Sequence, residues 1–130
     1  MKKAIWQDLW QGMQGREQTI ALRCGDQAVT VQDFFQEILR AEAGLRRLGV
    51  GPGDLVTLIT PESVAAFYAI DRIGAVANWV DLKLSAAEVA PYLEQAGSKV
   101  VLVLEIAFAK VYENRGETPA EHVVVLPLDA

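Results

Sequence analysis

The sequence predicts an α/β chain: a layered, mostly parallel sheet flanked by helices, with a small hairpin near the N-terminus. Three observations predict it. Two short runs, Leu55 to Ile59 and Val100 to Leu104, are apolar almost without interruption and rich in branched side chains. Strands covered on both faces read this way, whereas a strand with one wet side alternates. Between these runs, apolar residues recur at spacings of three and four, as on the buried stripe of a helix. The joints carry start and stop signals, with Thr60-Pro61-Glu62 and Ser85-Ala86-Ala87-Glu88 opening helices and Gly74 and Gly97 closing them.

Taken in order, Ile5, Trp6, Leu9, Trp10 and Met13 make a short amphipathic helix that ends near Gly12 or Gly15. Its two tryptophans are expected to pack at the core or its edge. Ile20-Ala21-Leu22-Arg23 and Gln27-Ala28-Val29-Thr30 flank the turn Cys24-Gly25-Asp26, which predicts a hairpin. No histidine lies near Cys24 in sequence, so an inert thiol is expected. Thr30-Val31-Gln32-Asp33 is a near capping box with aspartate where glutamate is commoner. The helix it opens is the longest, with Phe34, Phe35, Ile38, Leu39, Leu45 and Leu48 on its apolar stripe and Arg46-Arg47 at its negative end. Gly49-Val50-Gly51-Pro52-Gly53-Asp54 has the look of a dinucleotide-binding glycine loop, but such a loop follows a strand and opens a helix. Here a helix ends and a strand follows, which makes these glycines a C-cap and turn.

The stretch from Gly53 to Leu84 is then one strand, helix and strand unit. Thr60-Pro61-Glu62 starts a helix whose broad apolar face takes Val64, Phe67, Ala65 and Tyr68, with Asp71 and Arg72 at a charged exit. After Gly74, Ala75-Val76-Ala77 begins a second extended run, and a right-handed crossover places the two runs parallel in one sheet. Ser85 to Glu88 is a full capping box, and Val89, Tyr92, Leu93 and Ala96 form the stripe of the next helix. Pro91 falls late in that helix and predicts a kink or a tightened first turn. Beyond Val100 to Leu104, Glu105 to Val111 suggests a short helix, Asn114 to Pro119 a loop, and His122 to Leu126 a last strand closed by Pro127.

At 130 residues the chain is one domain's worth and buries roughly two-thirds of its unfolded surface. Its hydrophobic fraction of 52% means that either the sheet is covered on both sides or some apolar surface awaits a partner, self-association included. A net charge of −5 argues against nucleic acid or an anionic membrane as partner. One cysteine rules out an internal disulfide framework and fits a reducing compartment. Met1-Lys2-Lys3 is followed by no apolar core of export-signal length, and no run approaches the roughly 20 apolar residues of a membrane span. The cytoplasm is the expected location. One histidine, one cysteine and scattered carboxylates give no metal-ligand spacing.

Several of these residues also carry a resemblance. Ile73-Gly74-Ala75-Val76-Ala77-Asn78, then Val80-Asp81-Leu82-Lys83-Leu84-Ser85-Ala86-Ala87-Glu88, then Ala96-Gly97-Ser98-Lys99-Val100-Val101-Leu102-Val103 resemble the N-terminal part of the AMP-forming acyl-CoA synthetase and adenylate-forming ligase superfamily. The likeness reaches back through Gly49 to Asp54 and Thr30, and so covers about residues 18 to 104. Trp79 and Leu82 stand near positions where family members usually have prolines.

The resemblance implies that residues 1–130 are a single α/β domain, the N-terminal piece of a longer enzyme. That enzyme joins a carboxylic acid to ATP and passes the acyl adenylate to a thiol, with ATP, Mg²⁺ and coenzyme A as implied cofactors. The family cradles phosphates with a Ser/Thr/Gly-rich loop ending in lysine, and no such loop occurs between Met1 and Ala130. No catalytic residue and no metal ligand is therefore assigned, and the chain alone is expected to be inert. One residue carries over: Lys83, after the second strand, matches a basic residue that lies near the phosphates of coenzyme A in several such ligases. Its alternative is an exposed loop lysine. The alternative for the whole chain is a non-catalytic α/β binding or interaction module of the same ancestral fold.

Overall fold

A computed structural model describes residues 5–24, 26–60, 64–114, 116 and 120–126. The thiol of Cys24, the turn residue Gly25, the helix start at Pro61 and Glu62, most of the 115–119 loop and Pro127 lie outside the described residues.

Helix α1 (Ile5–Met13) buries none of its residues fully. Strands β1 (Ile20–Cys24) and β2 (Gln27–Thr30) form the expected antiparallel hairpin, with Cys24 opposite Gln27 and a register shift between Ile20 and Leu22. Helix α2 (Val31–Arg47) begins where Thr30 Oγ1 accepts from the Asp33 amide at 3.2 Å. Phe34, Phe35, Ile38 and Leu45 are buried along it, but Leu39 is 45% exposed. The neighbouring Ile38 takes the position that faces the core cluster, so Leu39 is rotated out toward Trp10 and Met13, beside a shallow apolar depression. Gly49, at φ +87°, ends the helix as expected, and Val50 N–H donates back to the Leu45 carbonyl.

The main sheet contains β3 (Leu55–Ile59), β4 (Val76–Trp79), β5 (Val100–Leu104) and β6 (His122–Leu126) in the order β4-β3-β5-β6, and every pairing is parallel. Between them run α3 (Val64–Ile73), α4 (Ala86–Ala96), a 3₁₀ turn (Glu105–Ala107) and α5 (Phe108–Glu113). Side chains alternate across the sheet. Val56, Leu58, Val100 and Leu102 point to a cluster with Phe34, Ile38, Ile70 and Ile73 of α2 and α3. Ile59, Val101 and Val103 point the other way, to Val89, Leu93, Ala107 and Val111 of α4 and α5. The two interior strands are covered on both sides, as their almost unbroken apolar runs require.

Two expectations are corrected in detail. The fully buried residues of α3 are Ala69, Ile70 and Ile73, while Val64 is 39% exposed. On α4, Val89 and Leu93 are buried four residues apart, and Tyr92, one position from Leu93, turns out to 52% exposure. Pro91 sits inside α4, between its ends at Ala86 and Ala96, and its side chain is exposed. The start of α4 carries the full capping box, with Ser85 and Glu88 each accepting from the other's amide at 3.3 Å. Gly74 has φ +86°, and a Cβ there would lie 3.6 Å from Pro52, so glycine fits both the left-handed turn and the close approach.

Candidate functional site

In an open parallel sheet, ligands are taken at the carboxyl ends of the strands. At that end of β3 and β4 lies a depression of about 390 Å³, lined by Thr60, Trp79, Val80, Asp81, Leu82 and Lys83. It adjoins β3, the strand on either side of which the connections run in opposite directions. Trp79 is the apolar wall: it is 48% exposed, and its ring lies 6.3 Å from that of Phe67 on α3.

The loop from Val80 to Ser85 forms the rest of the rim. Val80 N–H donates to the Leu58 carbonyl at 2.9 Å, continuing the β3 pairing. Asp81 then shapes the turn, its Oδ1 accepting from the Lys83 amide at 2.9 Å and its carbonyl from the Leu84 amide at 3.2 Å. Lys83 itself is exposed at the rim. A flexible ammonium there offers a point charge to an anionic group, with the Asp81 carboxylate close enough in sequence to temper it.

Two further groups of polar residues had no local signal in the sequence. Thr57 and Ser98, both fully buried, share a hydrogen bond between their hydroxyls, and Asn78 Nδ2 donates to Thr57 Oγ1 at 3.3 Å. This ties β4 and the segment leading into β5 to β3. On α5, Lys110 Nζ donates to the Leu82 carbonyl at 2.7 Å, and Asn114 Nδ2 donates to the Ala86 carbonyl at 3.0 Å.

The strongest charge cluster lies elsewhere. Glu42 of α2 accepts from Arg46 at 3.1 Å and from Arg72 of α3 at 2.5 Å. The Arg72 guanidinium also lies over the Trp6 ring, 4.4 Å from its centroid, and Asp71 Oδ2 accepts from the Trp6 amide at 2.8 Å. Trp10 packs on Phe35 with centroids 4.4 Å apart. The tryptophans of α1 are thus edge packing, and Arg46, expected to answer the helix dipole, is also an ion-pair partner. Burial works to raise the Glu42 carboxyl, but hydrogen bonds from Arg72 and Arg46, with their charges, outweigh it and hold the group below its ordinary value. This is a clasp between helices.

Among the described residues, no group of three or more His, Cys, Asp or Glu could hold a metal ion. No described helix is long and apolar enough to cross a membrane.

The sequence profile of the family described as AMP-binding enzyme matches residues 9–130. Over 92 residues the chain is 40% identical to a 3-hydroxypropionyl-coenzyme A synthetase of Metallosphaera sedula, a match that covers 68% of this chain and 13% of that protein. Over 111 residues it is 32% identical to an uncharacterised protein of Mycobacterium tuberculosis, covering 81% of this chain and 62% of that one. Among solved structures, the anthranilate CoA ligase AuaEII in complex with anthranoyl-AMP superposes with a TM-score of 0.85 at 26% identity, over 92% of this chain and 24% of that one. The chain thus spans a small part of the ligases it matches.

Proposed function

The chain belongs to the AMP-binding enzyme family, and from that membership we propose that it is the N-terminal subdomain of an AMP-forming acid–thiol ligase. Such an enzyme attacks the α-phosphate of ATP with a carboxylate, releasing pyrophosphate, and a thiol then displaces AMP to give the thioester. The part played by residues 1–130 is architectural and electrostatic. The β4-β3-β5-β6 sheet is the rigid platform, and Trp79 and Leu82 supply apolar wall. Lys83 offers its ammonium to the phosphates of coenzyme A. Mg²⁺ and the phosphates of ATP would be held by residues outside this stretch, because it has neither a metal-ligand group among the described residues nor a Ser/Thr/Gly-rich loop ending in lysine. We place the enzyme in the cytoplasm, in keeping with the single cysteine of residues 1–130.

The observation that carries this reading is the rim of Trp79 to Lys83 at the carboxyl end of a parallel sheet in a chain with no phosphate loop of its own. The chain alone, given ATP, Mg²⁺ and a set of aryl, hydroxyalkyl and fatty acids, is expected to release no pyrophosphate. Sustained release would overturn the reading. Its outer strands also expose Val76 and Trp79 on β4 and Val123 and Val125 on β6. In the isolated chain these edges favour self-association, which light scattering reads directly.

A second reading is favoured by one comparison. The matched stretch makes up 62% of the M. tuberculosis relative, so that protein is far shorter than the ligases. A non-catalytic interaction module is the function such a length supports. A reading frame that continues past Ala130 into a phosphate loop decides for the ligase, and a natural stop codon there decides for the module.

A further inference from the structure

We propose that Lys110 and Asn114, at the end of α5, are the positioning residues of the loop that carries Lys83. The proposal rests on the reading of Lys83 as a contact for coenzyme A, and it adds what fixes that contact in place.

The two side chains stand four residues apart, so they rise from one face of the helix. Lys110 Nζ donates to the carbonyl of Leu82, and Asn114 Nδ2 to that of Ala86. These carbonyls bracket Lys83, one residue before it and three after. Asn114 also donates to the Lys110 carbonyl at 2.8 Å, which links the two parts of the clamp. The remaining hydrogen bonds of the loop are of a different kind. Asp81 to Lys83, Asp81 to Leu84 and Ser85 with Glu88 are all local, and they set the loop's shape without saying where it sits. Among the described residues, the loop's hydrogen bond to the sheet is made at its first residue, Val80, through the Leu58 carbonyl.

The other end of the clamp is firm. Ala107 and Val111 are each 1% exposed beneath β5, and Leu82 and Leu84 pack on the same apolar cluster. A charged donor on a partly buried carbonyl is among the stronger neutral-acceptor hydrogen bonds. Position therefore runs from β5 through α5 to Leu82, and from Leu82 to its neighbour Lys83. A loop already held in place loses less freedom when a ligand binds, so the clamp favours binding without touching the ligand.

The test uses the 130-residue chain, amide hydrogen exchange read residue by residue, and titration with coenzyme A followed at the amides of residues 79–84. Lys110→Met keeps the aliphatic stem and removes the donor. It is expected to speed exchange at Leu82 to Leu84 by about tenfold and to weaken coenzyme A binding by about tenfold, with β3 and β5 protection unchanged. Lys110→Arg, which restores a donor, is expected to recover most of both. Should Lys110→Met not fold, Asn114→Ala supplies the comparison, with an expected change of about threefold. Unchanged loop exchange and unchanged affinity in a folded variant, with Lys83→Ala still abolishing binding, overturn the clamp and leave the Lys83 reading intact. If the unaltered chain gives no shifts with coenzyme A at residues 79–84, the Lys83 reading fails. Loop exchange then decides the clamp by itself, and an unchanged rate rejects it.

Discussion

On one face of the sheet, α2 and α3 set Phe34, Ile38, Ile70 and Ile73 against Val56, Leu58, Val100 and Leu102. On the other, α4 and α5 set Val89, Leu93, Ala107 and Val111 against Ile59, Val101 and Val103. The first face has aromatic side chains and a second layer, since α1 is fastened outside it through Trp6, Arg72 and Asp71. The second face has smaller side chains and no outer layer among the described residues. Its polar groups reach toward the Val80 to Ser85 loop instead. The difference teaches a division of labour. One face stabilises, with charges spent on fastening helices to each other, and the other orients the rim of the candidate site.

Substitutions at three places break or sharpen that contrast. Leu58→Ala, at a position with 0% exposure on the first face, should cost about 3 kcal/mol in denaturant unfolding, because the surrounding strands cannot collapse onto the space. A loss under about 1 kcal/mol would mean that this face is not the principal core. Ser98→Ala removes the hydroxyl that meets Thr57 in the buried network between the strands, and about 1 to 2 kcal/mol should follow from the orphaned group. A neutral result would show that the network is not needed to join β4 and β5 to β3.

The smallest effect is expected at Glu42. Its folded carboxyl titrates below the ordinary value of 4.5, so its contribution is fully present above that value and is lost as pH falls through the lower folded one. Glu42→Gln should therefore cost about 1 kcal/mol at neutral pH and close to nothing at strongly acid pH. A cost that does not change with pH would show that the charge of Glu42 contributes nothing to the clasp.

What the sequence made legible was whatever rests on neighbours along the chain. Ser85 and Glu88 stand three residues apart and form the box they spell. Thr30 caps α2, and the almost unbroken runs Leu55 to Ile59 and Val100 to Leu104 are interior strands. A helical stripe misleads where it is broader than the surface it meets. Leu39 and Tyr92 have suitable spacing, but Ile38 and Leu93 beside them take the core positions. Long-range polar contacts were illegible for a simple reason. Glu42 meets Arg72 across 30 positions and Lys110 meets Leu82 across 28, and no periodicity encodes such pairs. At the candidate site, Lys83 was found through resemblance to a family. The residues that hold its loop became visible only with the fold.

The central claim is that residues 1–130 contribute the platform and the coenzyme A rim but no grip on ATP. Calorimetric titration of the chain with ATP and Mg²⁺, beside a matched titration with coenzyme A, tests it most directly. The account predicts no saturable heat with ATP and a weak saturable signal with coenzyme A that disappears in Lys83→Ala. Saturable micromolar binding of ATP, or coenzyme A binding untouched by that substitution, would contradict it.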